Sequence, residues 1–144
     1  MQELDNAIVS PRSGERPPLR YVQAWTTAGI GFVLLVIYLS LTAPPRDFDV
    51  PRLFDAGHIV AYFWLTIWFA QIHRSAHRRW ALAAAFGAMG VALEYIQGMT
   101  GYRQFDYVDM MRNFIGIAIG LALARTPMQN VLYRVERILA GGGR

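Results

Sequence analysis

Cysteine is absent from the 144-residue chain, which excludes disulfides and thiolate metal sites. Charge is scarce: 17% of residues are Asp, Glu, Lys or Arg, where a soluble domain carries about 25%. No internal repeat or low-complexity tract is present. The formal charge of +4 is spread over arginines in short clusters that flank apolar runs. That distribution writes membrane topology and argues against a nucleic-acid partner. What the chain has in excess is apolar residues, 54% of the total, gathered in blocks. Blocks of this kind point to a bilayer as solvent.

Residues 1–20 are polar, contain Pro and lack helical periodicity, so a disordered cytoplasmic tail is predicted. Tyr21 to Ala43 then holds no charged residue over 23 positions. As a helix this run is about 34 Å long, enough to cross a hydrocarbon core of about 30 Å. Leu41-Thr42-Ala43 makes a poor cleavage site, so the helix is expected to be retained. Three later runs, Ile59–Ala70, Trp80–Leu93 and Phe114–Ala124, are only 12, 14 and 11 residues long. Each reaches spanning length only when its polar end is included.

Arginine placement favours four crossings. Arg12, Arg16 and Arg20, the segment His73–Arg79, and Arg125, Arg134, Arg137 and Arg144 all fall on one side, with both termini, if the chain crosses four times. By the positive-inside rule that side is the cytoplasm. The opposite loops, 44–54 and 98–106, carry fewer arginines, offset by Asp47, Asp49 and Asp106. The expectation is an all-α fold: a four-transmembrane-helix bundle over residues 21–125, with helices at about 21–43, 53–72, 79–98 and 107–125. Trp25, Trp68 and Trp80 would mark the inner interface, and Tyr38, Tyr95, Tyr102 and Tyr107 the outer one. Trp64 and Trp68 are expected to face lipid or the interface. Residues 126–144 read as a short cytoplasmic amphipathic helix and tail. Thr126 would cap that helix before Pro127, with Met128, Val131, Leu132, Val135, Ile138 and Leu139 on one face and Gly141-Gly142-Gly143 as its stop.

Topology converts into depth. At about 1.5 Å per residue, Asp55, His58, Glu94, Gln97, Asp109 and Asn113 all lie roughly 18 to 28 Å from the arginine-rich side, although they come from three helices. Asp55 and His58 are i, i+3; His58 and Tyr62 are i, i+4; Glu94 and Gln97 are i, i+3. Asp109 is spaced at i+3 from Arg112 and at i+4 from Asn113. Each set shares one helix face, and ionisable groups at that depth turn inward, because facing lipid costs several kcal/mol. Gly116 and Gly120 continue the face of Asn113, and Gly87 and Gly90 thin the third helix, which lets helices pack closely beneath the cluster.

The series Asp55-x-x-His58-x-x-x-Tyr62, Glu94-x-x-Gln97, Arg103, Asp109-x-x-x-Asn113-x-x-Gly116-x-x-x-Gly120 resembles the VanZ-like family of small bacterial membrane proteins, over roughly residues 30–125. The resemblance implies a multi-pass protein of the bacterial inner membrane and cell envelope. The family's namesake is associated with resistance to the glycopeptide teicoplanin. Members commonly carry Lys after the first Asp, where this chain has Ala56.

The favoured functional reading is an outward-facing site for a lipid-linked cell-wall precursor or an amphiphilic antibiotic. Arg103 and Arg112 would contact phosphate, while Asp55, His58, Glu94 and Asn113 position them. A second reading is a membrane-embedded hydrolase or transferase with His58 as base, oriented by Asp55 or Glu94, Arg112 stabilising charge, and His58, Glu94 and Asp109 as the candidate catalytic set. Its metal version would use the same His58, Glu94 and Asp109. A third is a purely structural cluster of interhelical hydrogen bonds. No cofactor is expected; the partners are membrane lipids, and Gly116-x-x-x-Gly120 serves either a homo-oligomer or packing within one bundle. Tyr62 is read as an orienting or packing residue, and His73 and His77 as part of a solvated basic loop.

Overall fold

A computed structural model describes residues 18–42, 51–101 and 105–141, with side chains in the second stretch described from Ala56. Five α-helices make up the described residues: α1 (Val22–Leu41), α2 (Pro51–Ile72), α3 (Ala76–Met99), α4 (Tyr107–Leu123) and α5 (Val131–Gly141). A 3₁₀ turn, Pro127–Asn130, precedes α5. No strand occurs among the described residues. The four long helices run up and down. His58 near the start of α2, Glu94 late in α3 and Asp109 at the start of α4 meet at one end. Trp25 of α1, Trp68 of α2 and Glu136 of α5 meet at the other.

Local sequence sets the helix ends. Ser75 caps α3 by accepting from the Arg78 N–H, and Asp106 caps α4 by accepting from the Val108 N–H at 2.8 Å. Thr126, as expected, accepts from Met128 ahead of Pro127. These are the short oxygen-bearing side chains that satisfy the open N–H groups of a first turn.

The seam between α2 and α4 is the tightest in the molecule. A Cβ at Gly116 would collide with the Ile59 carbonyl and the Phe63 N–H, and one at Gly120 would meet Thr66 Cβ at 2.7 Å. Backbone thus lies on backbone, a spacing only glycine permits. Leu65, Phe69, Phe86 and Ile117 fill the core beside this seam. On the other side of α2, Gly29 of α1 sits under the rings of Trp68 and Phe69, again with no room for a methyl group. Trp25, Phe32, Val33 and Val36 also pack on the core, while the other side of α1 is apolar and exposed: Leu34 is 60% accessible, and Ile30, Leu35, Tyr38 and Leu39 are similarly open. A helix apolar all round and bare on that side suits a lipid surround. Two helices, α1 and α3, are long and apolar enough to cross a membrane; α4 with the Pro127–Gly141 segment would make a third if that pair, bent by 76°, is one span.

Three sequence expectations are revised. Trp68 does not face lipid: it is buried, its indole N–H donates to the Trp25 carbonyl at 3.0 Å, and Trp25 and Phe32 pack edge-on against it. Trp64, in contrast, is exposed. The predicted tail does not extend through residue 20, because Leu19 is buried in the core and the Arg20 N–H is bonded to Glu136. Finally, α5 does not merely lie on a surface. It buries Leu132 and Glu136 against the start of α1. Residues 1–17 and 142–144 of the predicted tails, and Asp47 and Asp49, lie outside the described residues.

Candidate functional site

Helical periodicity stacks the polar residues in two layers at one end of the bundle. The outer layer is His58 of α2, Glu94 of α3 and Asp109 of α4, each offering an atom within 4.8 Å of the others. One turn deeper on the same three helices stand Tyr62, Gly90 and Asn113. A Cβ at Gly90 would lie 2.9 Å from Asn113 Nδ2 and 3.1 Å from the Tyr62 hydroxyl, so these groups crowd into the space that glycine leaves. The close α2–α4 seam at Gly116 and Gly120 begins directly below and fixes the distance between the His58 and Asp109 helices.

Each outer residue is held differently. Glu94, 2% accessible, accepts from the Asp106 backbone N–H through Oε1 at 2.8 Å, which ties α3 to the start of α4. Asp109 stands in the first turn of α4, where the helix dipole favours a carboxylate. It pairs through Oδ1 with Arg112. His58 Nδ1 lies 3.5 Å from that same oxygen yet makes no hydrogen bond with it.

The unusual feature is what stays unpaired. His58 Nδ1, the Tyr62 hydroxyl and Asn113 Oδ1 are buried and find no hydrogen-bond partner among the described residues. A buried polar atom without a partner costs about 1 to 3 kcal/mol, and folded proteins carry few of them. Three in two adjoining layers mark a place where folding has left polar capacity unused.

The other sequence candidates divide. Gln97 is buried at the same end, but its amide N–H donates to the Ser40 carbonyl at 2.7 Å, so it ties α3 to the end of α1 and adds no donor to the cluster. Arg112 pairs with Asp109, its neighbour at i−3 on α4. Asp55 belongs to α2 with its side chain undescribed, and Arg103 lies outside the described residues. In the basic loop, partial burial and then the neighbouring Arg78 charge push the His73 imidazole below its usual value, which keeps it neutral near pH 7.

Sequence reading missed a second polar focus at the opposite end. The buried Glu136 carboxylate accepts from the Arg20 N–H at 2.7 Å, the Tyr21 N–H at 2.9 Å and the Trp25 indole at 2.7 Å. It caps α1 in trans, where Tyr21 supplies no side-chain cap. Arg79 donates to the carbonyls of His73 and Ala124 and to Gln129, and the Leu132 N–H donates to Gln71. The one available signal was a lone acid inside the apolar stripe of α5, four residues after Leu132.

No family model matches the chain, and no solved structure matches it. It is similar to an uncharacterized protein of Schizosaccharomyces pombe, 30% identical over 114 residues. The match covers 76% of this chain and 65% of that protein.

Proposed function

We propose that the chain is a VanZ-like integral membrane protein that crosses the bilayer four times, with both termini cytoplasmic, and binds a lipid headgroup bearing phosphate at its His58–Glu94–Asp109 end. The single observation that carries the reading is the set of unpaired buried atoms, His58 Nδ1, the Tyr62 hydroxyl and Asn113 Oδ1. A cluster that served only to hold helices together would consume its donors and acceptors internally, as Glu136 does. The apolar, exposed face of α1 favours a ligand that arrives laterally from the bilayer. Arg112, partly exposed and beside Asp109, is the cation among the described residues best placed to meet phosphate. In a bacterial inner membrane the site would open outward onto lipid-linked cell-wall precursors, the route by which glycopeptide resistance would follow. A polyprenyl phosphate carries the phosphate and apolar chain that such a site would take.

Binding of a polyprenyl phosphate to the purified full-length protein, followed by native mass spectrometry in detergent, tests this. The expected result is one bound lipid, with affinity reduced tenfold or more by His58→Ala and by Arg112→Ala while helicity is retained. Affinity no greater than for a neutral diacylglycerol overturns it. An imidazole and two carboxylates within 4.8 Å also suit a general base, so the same samples distinguish a hydrolase: turnover of the lipid, lost in Glu94→Gln, makes the protein an enzyme.

A further inference from the structure

We infer that His58, Glu94 and Asp109 form a site for one divalent first-row metal ion, Zn²⁺ or Mn²⁺ by their chemistry. The three offer one imidazole nitrogen and two carboxylate oxygens from three separate helices, within 4.8 Å of one another. Ligands around a tetrahedral ion at bond lengths of about 2.0 to 2.1 Å stand roughly 3.3 Å apart. The His58 Nδ1–Asp109 Oδ1 separation is already 3.5 Å, and Glu94 offers an oxygen within 4.8 Å of the other two ligand atoms. A nitrogen with two hard oxygens is a mixed set that suits Zn²⁺ or Mn²⁺ better than Ca²⁺, which takes oxygen alone.

The obvious competing explanation is a protonated His58 shared by two carboxylates. An imidazolium between carboxylates would aim Nδ1–H at an oxygen about 2.8 Å away. Here the distance is longer, 3.5 Å, and Nδ1 stays unpartnered and buried. A buried ring nitrogen without a partner, on a residue grouped with two carboxylates within 4.8 Å, is free to ligate a metal ion. A second observation independent of the triad points the same way. The Tyr62 hydroxyl and Asn113 Oδ1, on residues 2% and 3% accessible, lie one turn beneath without partners. Tyr62 is within electrostatic range of Glu94. Two oxygens so placed can hold the waters that complete a coordination shell or fix its ligands from behind.

Charge supplies a further reason, which rests on the phosphate reading above. Two carboxylates against one guanidinium leave the described cluster net negative, which repels an anionic headgroup. A divalent ion reverses that sign and gives the phosphate a direct ligand.

The test uses full-length protein purified in detergent, stripped with a chelator and titrated with Zn²⁺ or Mn²⁺ alone, without lipid. The expected result is one ion per chain at micromolar affinity, weakened at least thirtyfold by His58→Ala and by Asp109→Asn and unchanged by the loop pair His73→Ala/His77→Ala. Binding of less than a tenth of an equivalent, or binding insensitive to His58→Ala, overturns the inference. Should a variant fail to fold, X-ray absorption of zinc-loaded wild type decides: one imidazole with an oxygen-dominated shell supports the site, and two or more imidazoles overturn it. Ion binding without any lipid binding supports the metal site while defeating the phosphate reading, and lipid binding without an ion does the reverse.

Discussion

The two ends of the bundle hold similar inventories of buried polar groups and treat them in opposite ways. At the arginine-rich end, Glu136 takes three hydrogen bonds, Arg79 gives three, and Trp68 and Gln71 each meet a backbone partner. At the far end, His58, Tyr62 and Asn113 each keep a buried atom unsatisfied. The difference separates polar groups that hold a fold together from polar groups that the fold holds for something else. Satisfied networks rigidify; unsatisfied ones cost stability and persist where function requires them.

The comparison presupposes one rigid seam joining the ends, and breaking that seam has the largest expected effect. Gly116→Leu drives a side chain into the backbone of α2 and should abolish accumulation of folded protein in the membrane. Gly116→Ala should cost about 3 kcal/mol or more, read from unfolding in mixed micelles. Ion or lipid binding should fall with it, since the seam spaces His58 from Asp109.

Next in size is the satisfied end. Glu136→Gln removes the charge from three hydrogen bonds and should lower stability by about 3 kcal/mol. Burial pushes this carboxyl up, but the Tyr21 and Arg20 N–H groups, the Trp25 indole and the Arg20 charge outweigh it, so its pKa lies below the ordinary 4.5. A depressed folded-state value means that the contribution is complete above 4.5 and disappears as pH falls through the depressed value. Wild type should therefore lose stability on acidification below the ordinary 4.5, and Glu136→Gln should lose less over the same interval. A smaller effect is expected for Arg79→Lys. A single ammonium cannot reach the carbonyls of His73 and Ala124 and the Gln129 side chain at once, and a loss of about 1 to 2 kcal/mol is expected in the same assay.

How much of this could be read from residues alone follows the same division. The common level of His58, Glu94 and Asp109 was legible because depth along a helix is local geometry, counted from the arginines. The close approach at Gly116 and Gly120 was legible for the same reason. Partners were not. Whether Gln97 turns to the cluster or to Ser40 depends on the lateral order of helices, which periodicity does not encode. Glu136 was missed because its donors lie more than 110 residues away in sequence. They become its partners only after α5 folds back onto α1. Trp68 was misjudged because an indole near a helix end serves an interface and a core equally well by composition.

The most direct test of the contrast sets Tyr62→Phe beside Glu136→Gln in one series of unfolding equilibria in the same detergent. Deleting a hydroxyl that has no partner should leave stability within about 0.5 kcal/mol of wild type, or raise it, while Glu136→Gln falls by about 3 kcal/mol. A Tyr62→Phe loss of about 1.5 kcal/mol or more would show that the hydroxyl binds the helices together, and the far end would then be held in the same way as the near one.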